Sequence, residues 1–328
     1  MLNVAVIGLG NMGKHHVRTY SEINNVKIVG ISDIDEKRGQ EVAAKYGCKF
    51  YKDYKFMLEN EILDLVSIVV PTTFHKEVAI NVIEKGINLL IEKPIADTIE
   101  NAKIIIDKAK ERNVKLAIGH IERFNPAVQR LKEIITEGRL GKITSIIARR
   151  VGVFPPQVKE ANVIIDLAVH DIDIINYFMN EKPNEIEANA GRALISQRED
   201  CAEIFLKYEN SSGFIQVNWI TPIKIRNLSV TGTKGYAEMD YITQNLIVYE
   251  SNYKKEFETF GDVIEFSKPN KVEIGIEKEE PLKLELLNMI QAVENNTDPL
   301  ITGEVGLEAL EIAMKVLDKI NKKDKIER

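Results

Sequence analysis

The chain has 328 residues, a formal charge of −6 and a pI near 5.6, with 44% hydrophobic and 29% charged residues. The acidic balance argues against a nucleic-acid or anionic-membrane partner, and the length exceeds one typical core and suits two domains. Cys48 and Cys201 lie far apart with no CxxC, which argues against a disulfide framework or a cysteine-based zinc site.

Strand-like runs and helical patterns alternate through the first 120 residues. NVAVIG (3–8), VKIVGIS (26–32), LVSIVV (65–70), INLLIE (87–92) and VKLAIG (114–119) are continuously apolar, as strands buried on both faces are. Amphipathic segments near 12–23, 35–46, 75–85 and 98–112 separate them. This alternation predicts parallel βαβ units in a doubly wound sheet.

The turn after the first run is GLGNMG. Gly8, Gly10 and Gly13 fit G-x-G-x-x-G, with Asn11 and Met12 between them. Gly8 permits the tight turn, Gly10 lets the backbone approach a pyrophosphate, and Gly13 lets helix and strand pack closely. Asp33 follows 20 residues after Gly13, at the end of the second run, where a carboxylate accepts from ribose hydroxyls and repels a 2′-phosphate. NAD is therefore expected over NADP, although Arg38 nearby could accommodate a phosphate. Ligands of such sheets sit beyond the carboxyl ends of the strands. Two stretches fall there. VVPTTFH (69–75) places Pro71 and Thr72 to line a nicotinamide pocket, with His75 either at the cofactor or simply starting a helix. LLIEKP (89–94) delivers Glu92 and Lys93 to the sheet edge, and Pro94 holds the preceding residue extended.

After residue 140 the character changes. KITSIIARRVGVF, CAEIFLKYEN, SSGFIQVNWI, IRNLSVTGTKGYAEMD and QNLIVYES are strand-like with short turns, which predicts an antiparallel sheet. Helical patterns at 126–137, 163–179, 281–295 and 303–321 bracket it. The third and fourth of these belong to either side of the domain boundary as far as pattern shows. The 163–179 segment, VIIDLAVHDIDIINYF plus one residue, is dominated by apolar residues but interrupted by the ionisable Asp166, His170, Asp171 and Asp173. Asp166, His170 and Asp173 are spaced i, i+4 and i+7 and share a face, as on a helix lining a polar cleft; Asp171 is turned away by about 100°. These side chains have metal-ligand chemistry, but no second histidine stands at helical spacing. No metal is expected.

GLGNMG, PTTFH, EKP (Glu92–Pro94) and DLAVHDID together resemble the glucose–fructose oxidoreductase/inositol dehydrogenase family, over nearly the whole chain. The resemblance implies an N-terminal Rossmann domain (1–120) and a C-terminal α/β domain (121–328) built on a large, open, mostly antiparallel sheet. That sheet is often used for oligomerisation, so a homodimer or homotetramer is expected. It also implies that Lys93 touches both cofactor and substrate, with Asp166 and His170 as the D-x-x-x-H pair facing it. His170 is then the base for a hydroxyl proton. Lys93 stabilises a developing alkoxide, and Asp166 orients His170 or binds a neighbouring hydroxyl. Ala168 departs from the family pattern, where glycine is common.

GHIERFNPAV (119–128) and RRVGVFPPQV (149–158) mix arginine, aromatic and polar residues. His120, Glu122, Arg123 and Asn125 suit sugar hydroxyls, and Arg149 and Arg150 suit a phosphate or uronate, unless they serve strand-edge salt bridges. Both stretches resemble those of the family's sugar-nucleotide members. They imply oxidation at C3 of a UDP-N-acetylhexosamine such as UDP-N-acetylglucosamine. Inositol or free-sugar oxidation, and an NAD-binding sensor without catalysis, are the alternatives. No apolar run reaches the ~18 residues that span a bilayer. No secretion signal opens the chain, so a cytoplasmic location is expected.

Overall fold

The computed structural model describes residues 1–155, 161–251, 253–258 and 261–326. These form two compact units: residues 1–121 with 280–311, and residues 122–279 with 312–328.

The first unit alternates β1 (Leu2–Ile7), α1 (Asn11–Ser21), β2 (Val26–Ser32), α2 (Glu36–Tyr46), β3 (Lys49–Tyr51), α3 (Tyr54–Asn60), β4 (Leu65–Ile68), α4 (His75–Glu84), β5 (Asn88–Glu92), α5 (Ile99–Glu111) and β6 (Leu116–Gly119). Its six strands lie in the order β3-β2-β1-β4-β5-β6, every pair parallel. This is the doubly wound sheet expected from the apolar runs. β3 and α3 carry no clear sequence pattern: a three-residue edge strand has no room for one, and a seven-residue helix spans only two turns.

The domain boundary at 120/121 needs correction, because the second domain does not run unbroken to residue 328. Helix α8 (Pro281–Asn295) presents Leu282, Leu286, Met289 and Ile290 to Val4, Val17, Tyr20, Leu65 and Leu90, in one apolar cluster of the first unit. Residues 301–302 then extend the sheet beside β6: Ile118 N donates to Ile301 O at 3.1 Å, and Thr302 bridges to Ala117. An apolar helix face packs wherever it finds its complement, and sequence order does not choose the partner.

The second unit holds α6 (Pro126–Thr136), β7 (Ile143–Val153), a π-helical turn (Ile164–Ala168), α7 (Val169–Met179), β8 (Glu185–Gly191), β9 (Cys201–Lys207), β10 (Ser212–Asn218), β11 (Ile220–Gly232), β12 (Gly235–Asp240), β13 (Asn245–Glu250), β14 (Tyr253–Glu258), β15 (Gly261–Phe266) and β16 (Asn270–Ile274). Helix α9 (Gly303–Ile326) ends the described chain and passes from one unit to the other. Eight strands form a sheet in the order β16-β13-β12-β11-β7-β10-β9-β8, antiparallel except for β10 beside β7; β14 and β15 form a separate hairpin. β8 (EIEANAG) was missed because Glu, Asn, Ala and Gly are poor strand formers. Along β7, Ile146, Ala148 and Arg150 are buried while Ile147 and Arg149 are exposed, so α7 covers one face and leaves the other open.

Candidate active site

The glycine turn carries out the work expected of each position. Gly8 has φ +93°, and a β-carbon there would sit 2.5 Å from Val69 O; one at Gly13 would sit 1.9 Å from Gly8 O. No side chain fits either place. At Gly10 nothing lies within 4 Å of the β-carbon position, so the backbone face is open to a pyrophosphate. Helix α1 begins at once after it, with no acidic residue in its first turn, and Asn11 and Met12 supply backbone N–H groups there. The residues present fit a dinucleotide.

Asp33 directly follows β2 and is almost fully buried. It accepts from Leu9 N at 2.6 Å and Asp35 N at 2.8 Å, and from Arg38 Nε and Nη2 at 3.2 and 2.7 Å. Burial works against its charge, but the Arg38 guanidinium and the two N–H groups outweigh this and hold its pKa below the ordinary carboxylate value. Arg38 is thus committed to Asp33 rather than set apart to receive a phosphate.

Pro71 and Thr72 follow β4 in a short 3-10 turn, where they are accessible. His75 is corrected from a cofactor contact to an internal staple. It is 1% exposed, its Nδ1 lies 3.0 Å from Pro94 O and its Nε2 2.9 Å from Val70 O. A neutral imidazole donates through one nitrogen only, so His75 hydrogen-bonds one of these two loops and packs against the carbonyl of the other. Burial pushes its pKa below the ordinary imidazole value. Glu92 closes β5 with its carboxylate turned inward, accepting from His16 Nε2 at 3.0 Å, so it too faces α1 rather than an open cofactor surface. Lys93, the next residue, is half-buried at the carboxyl edge of the sheet.

In the second unit the four ionisable groups of the 163–179 segment part company. Residues 164–168 wind as a π turn, with Val169 N bonded to Ile164 O, and the regular helix starts only at Val169. A π turn loses 3.6-residue phase and is frequent at functional sites. Asp166 and His170 flank its end, and both are half-buried. Asp171 is completely buried and receives Arg150 Nε and Nη2 at 2.9 and 3.0 Å, while Arg150 Nη1 reaches Glu122 Oε1 at 2.8 Å. Burial alone would lower the Arg150 pKa, but Asp171 and Glu122 more than offset it and hold the guanidinium charged. Asp173 is 2% exposed and receives Arg123 Nε and Nη2 at 2.9 and 2.7 Å. The expectation that Asp173 shares a cleft-lining face with Asp166 and His170 is therefore corrected. Arg123, stacked over Tyr177 at 4.7 Å, closes that part of the helix.

The structure also re-assigns most of the expected substrate contacts. Arg123 is held in the bidentate pair with Asp173. Asn125 is 1% exposed; its Oδ1 caps α6 through Ala127 N at 3.1 Å and its Nδ2 donates to Tyr241 O at 3.0 Å. Arg149 stands on the open face of the sheet, beside Asn227, Tyr236 and Glu238, away from α7. Its neighbour Arg150 is the inward one. His120 is buried directly after β6. Residues 156–158 of the 149–158 stretch lie outside the described residues.

A further cation lies beside Arg150. Arg226 on β11 is paired with Arg150 in the sheet register and donates through Nη1 to Val151 O and Ile225 O at 2.8 and 3.0 Å. It forms no ion pair among the described residues. Burial, then the adjacent Arg150, lower its pKa to about 10. An arginine inside a strand pattern gives no sign of which face it takes.

The first unit is an NAD-binding Rossmann domain, and the class of protein is a dinucleotide-dependent oxidoreductase acting on CH–OH groups. Residues 2–120 match the oxidoreductase family with an NAD-binding Rossmann fold, and residues 128–238 match the GFO/IDH/MocA C-terminal domain. The chain belongs to this sugar oxidoreductase family. It is 27% identical over 316 residues to the UDP-N-acetylglucosamine 3-dehydrogenase of Acidithiobacillus ferrooxidans, covering 96% of each chain. It is also 27% identical over 327 residues to the NAD-dependent scyllo-inositol 2-dehydrogenase of Bacillus subtilis, covering 93% of this chain and 92% of the other. The solved structure of the A. ferrooxidans enzyme superposes with a TM-score of 0.85 at 26% identity, covering 97% of both chains. An Agrobacterium radiobacter oxidoreductase solved with NAD+ shares the fold, with a TM-score of 0.82 at 18% identity, over 97% of this chain and 96% of that one.

Proposed function

We propose that the protein oxidises a secondary alcohol of a UDP-N-acetylhexosamine, at C3, to the ketone. The observation that carries the chemistry is the contrast within one helical segment: Asp171 and Asp173 are buried against arginines, while Asp166 and His170 stay half-buried and accessible. Full-length similarity to the A. ferrooxidans UDP-N-acetylglucosamine 3-dehydrogenase supports the substrate. The inositol reading stays beside it because the B. subtilis inositol enzyme is equally similar in identity.

When bound, the nicotinamide supplies the hydride acceptor. Lys93 holds the alcohol oxygen by a charge-assisted hydrogen bond and favours its alkoxide form. His170 takes the hydroxyl proton, a role that suits imidazole because the ring in water titrates close to neutrality. Asp166, four residues before it, orients the imidazole or binds a neighbouring hydroxyl. The open sheet face brings Ile147, Phe214 and Phe205 into one cross-strand row, each more than a third exposed, which supports a homo-oligomer; light scattering that finds a monomer removes that part.

NADH formation with UDP-N-acetylglucosamine, UDP-N-acetylglucosaminuronate, myo-inositol and scyllo-inositol tests the reading. Turnover with a UDP-sugar supports it, and turnover with an inositol alone replaces the substrate. No turnover with any of them, together with tight NAD binding, brings the sensor forward. His170→Ala should lower kcat by about 10²–10⁴-fold, the usual range for a lost acid–base group, and Lys93→Ala by about 10²–10³-fold, that of a lost donor to a developing oxyanion, with NAD affinity nearly unchanged.

A further inference from the structure

Beneath the edge that carries Lys93 lies a cluster the hydride chemistry does not use. His16 of α1, Glu92 of β5 and Glu285 of α8 each bring a ligand atom within 4.8 Å of the others. His16 is fully buried and Glu285 is 2% exposed. Glu92 is bonded to His16, yet both Glu285 carboxyl oxygens lie without a hydrogen-bond partner, as does His16 Nδ1. Apolar Leu282, Leu286 and Met289 hold the same helix turns.

Two ionised carboxylates this close inside an apolar cluster repel strongly, and a buried unsatisfied carboxylate is costlier still. Such pairs settle by keeping one proton between them. Four other groups face the pair from the packed elements. Glu92 has His16 bonded to it, and Lys93 follows it on the chain. Tyr20 of α1 is buried nearby with its hydroxyl engaged by Ser67 Oγ at 2.8 Å, and Ser67 itself carries no charge. Of these, His16 and Lys93 favour charge on Glu92, and among the described residues no side-chain donor bonds either Glu285 oxygen. The asymmetry fixes which member carries the proton.

We propose that Glu285 is a neutral carboxylic acid at neutral pH that donates its proton towards Glu92 through one bridging water, and so acts as a positioning residue for the Glu92–Lys93 strand end. The directions of the two pKa values agree with this. Burial, then Glu92, push Glu285 well up, whereas for Glu92 the His16 hydrogen bond and Lys93 outweigh burial and bring the value down. The part concerning Lys93 rests on the catalytic reading above; the protonation of Glu285 does not.

Infrared difference spectra of the NAD-loaded native protein against Glu285→Gln, taken at neutral pH in D2O, test the proposal without a substrate. A carbonyl band of a protonated carboxylic acid, absent from the variant, is expected; its absence from the native protein overturns the proposal. A second readout is the pH slope of thermal stability. An acid whose folded pKa is raised contributes stability below its unfolded pKa, near 4.3, and that stability is lost as pH rises through the folded value. Native protein should therefore lose Tm more steeply towards alkaline pH than Glu285→Gln, and equal slopes refute it. For positioning, Glu285→Gln should retain kcat within about threefold while Glu285→Ala loses about tenfold or more, with KM and NAD affinity little changed, since small misplacements of a reacting group are expensive in rate. If the band and the slope hold but kcat does not respond in Glu285→Ala, the protonation stands and the role of Lys93 falls.

Discussion

Replacing Asp171 by alanine should destabilise the second unit severely, and the structure sets how much. Arg150 is 4% exposed, and Asp171 supplies two of the three charge-assisted bonds that reach it. Removing one partner of a buried ion pair leaves an uncompensated charge and costs about 3–5 kcal/mol. Glu122 still holds Nη1 at 2.8 Å, and Arg150 keeps its place over the Tyr241 ring at 4.8 Å, so the lower end applies. About 3 kcal/mol corresponds to roughly 6–12 °C in Tm for a unit of this size. The chain contains a single tryptophan, Trp219, which is 2% exposed within this unit and packs edge-on to Phe154 at 5.5 Å. Its fluorescence therefore reports unfolding of the second unit by itself. The double replacement Asp171→Leu with Arg150→Met should recover much of the loss, because removing both charges removes the orphan. A loss below about 1 kcal/mol in Asp171→Ala, or a double variant as unstable as the single one, would refute the argument.

Two further outcomes follow from the first unit. Asp33→Ser releases Arg38 and removes an acceptor for the ribose, so NAD should bind about 10- to 100-fold more weakly, in line with the 1.5–3 kcal/mol of a hydrogen bond to a charged group, while NADP gains relative to it; NADH fluorescence titration with unchanged preference would count against that role. His75 is held neutral by burial, so its folded pKa is depressed and its contribution to stability is present above about pH 6.5 and lost as pH falls through the folded value. Relative to the intrinsic exchange rate, amide protection in the segments around Val70 and Pro94 should therefore fall as pH drops below about 6.5 in the native protein but change less in His75→Gln. Equal acid sensitivity would detach the staple from the effect.

Much of the first unit was legible because parallel strands buried on both faces are written as continuous apolar runs, and because the glycine turn permits no other residue at Gly8 or Gly13. Lys93 was legible for a related reason: a strand that ends at EKP has to leave the lysine at the carboxyl edge. The site helix was only half legible. Periodicity placed Asp166, His170, Asp171 and Asp173 on one segment, but nothing local announces that Arg150 and Arg123 come from elsewhere to neutralise two of them. The π turn, which interrupts the 3.6-residue phase, is equally silent in the sequence.

The sequence alone thus determined the longer buried strands and amphipathic helices, the dinucleotide turn and the residue types available for chemistry, since these depend on local backbone sterics and on which faces must avoid water. Only the tertiary structure decided which charged groups are buried in pairs and which stay accessible. It alone put α8 with the first unit, turned Asn125 and His75 into internal braces, and set Glu285 against Glu92. Charge pairing and helix docking are contacts between residues distant along the chain, and a carboxylate's neighbours, not its own identity, decide whether it serves as an ion, an acid or a brace.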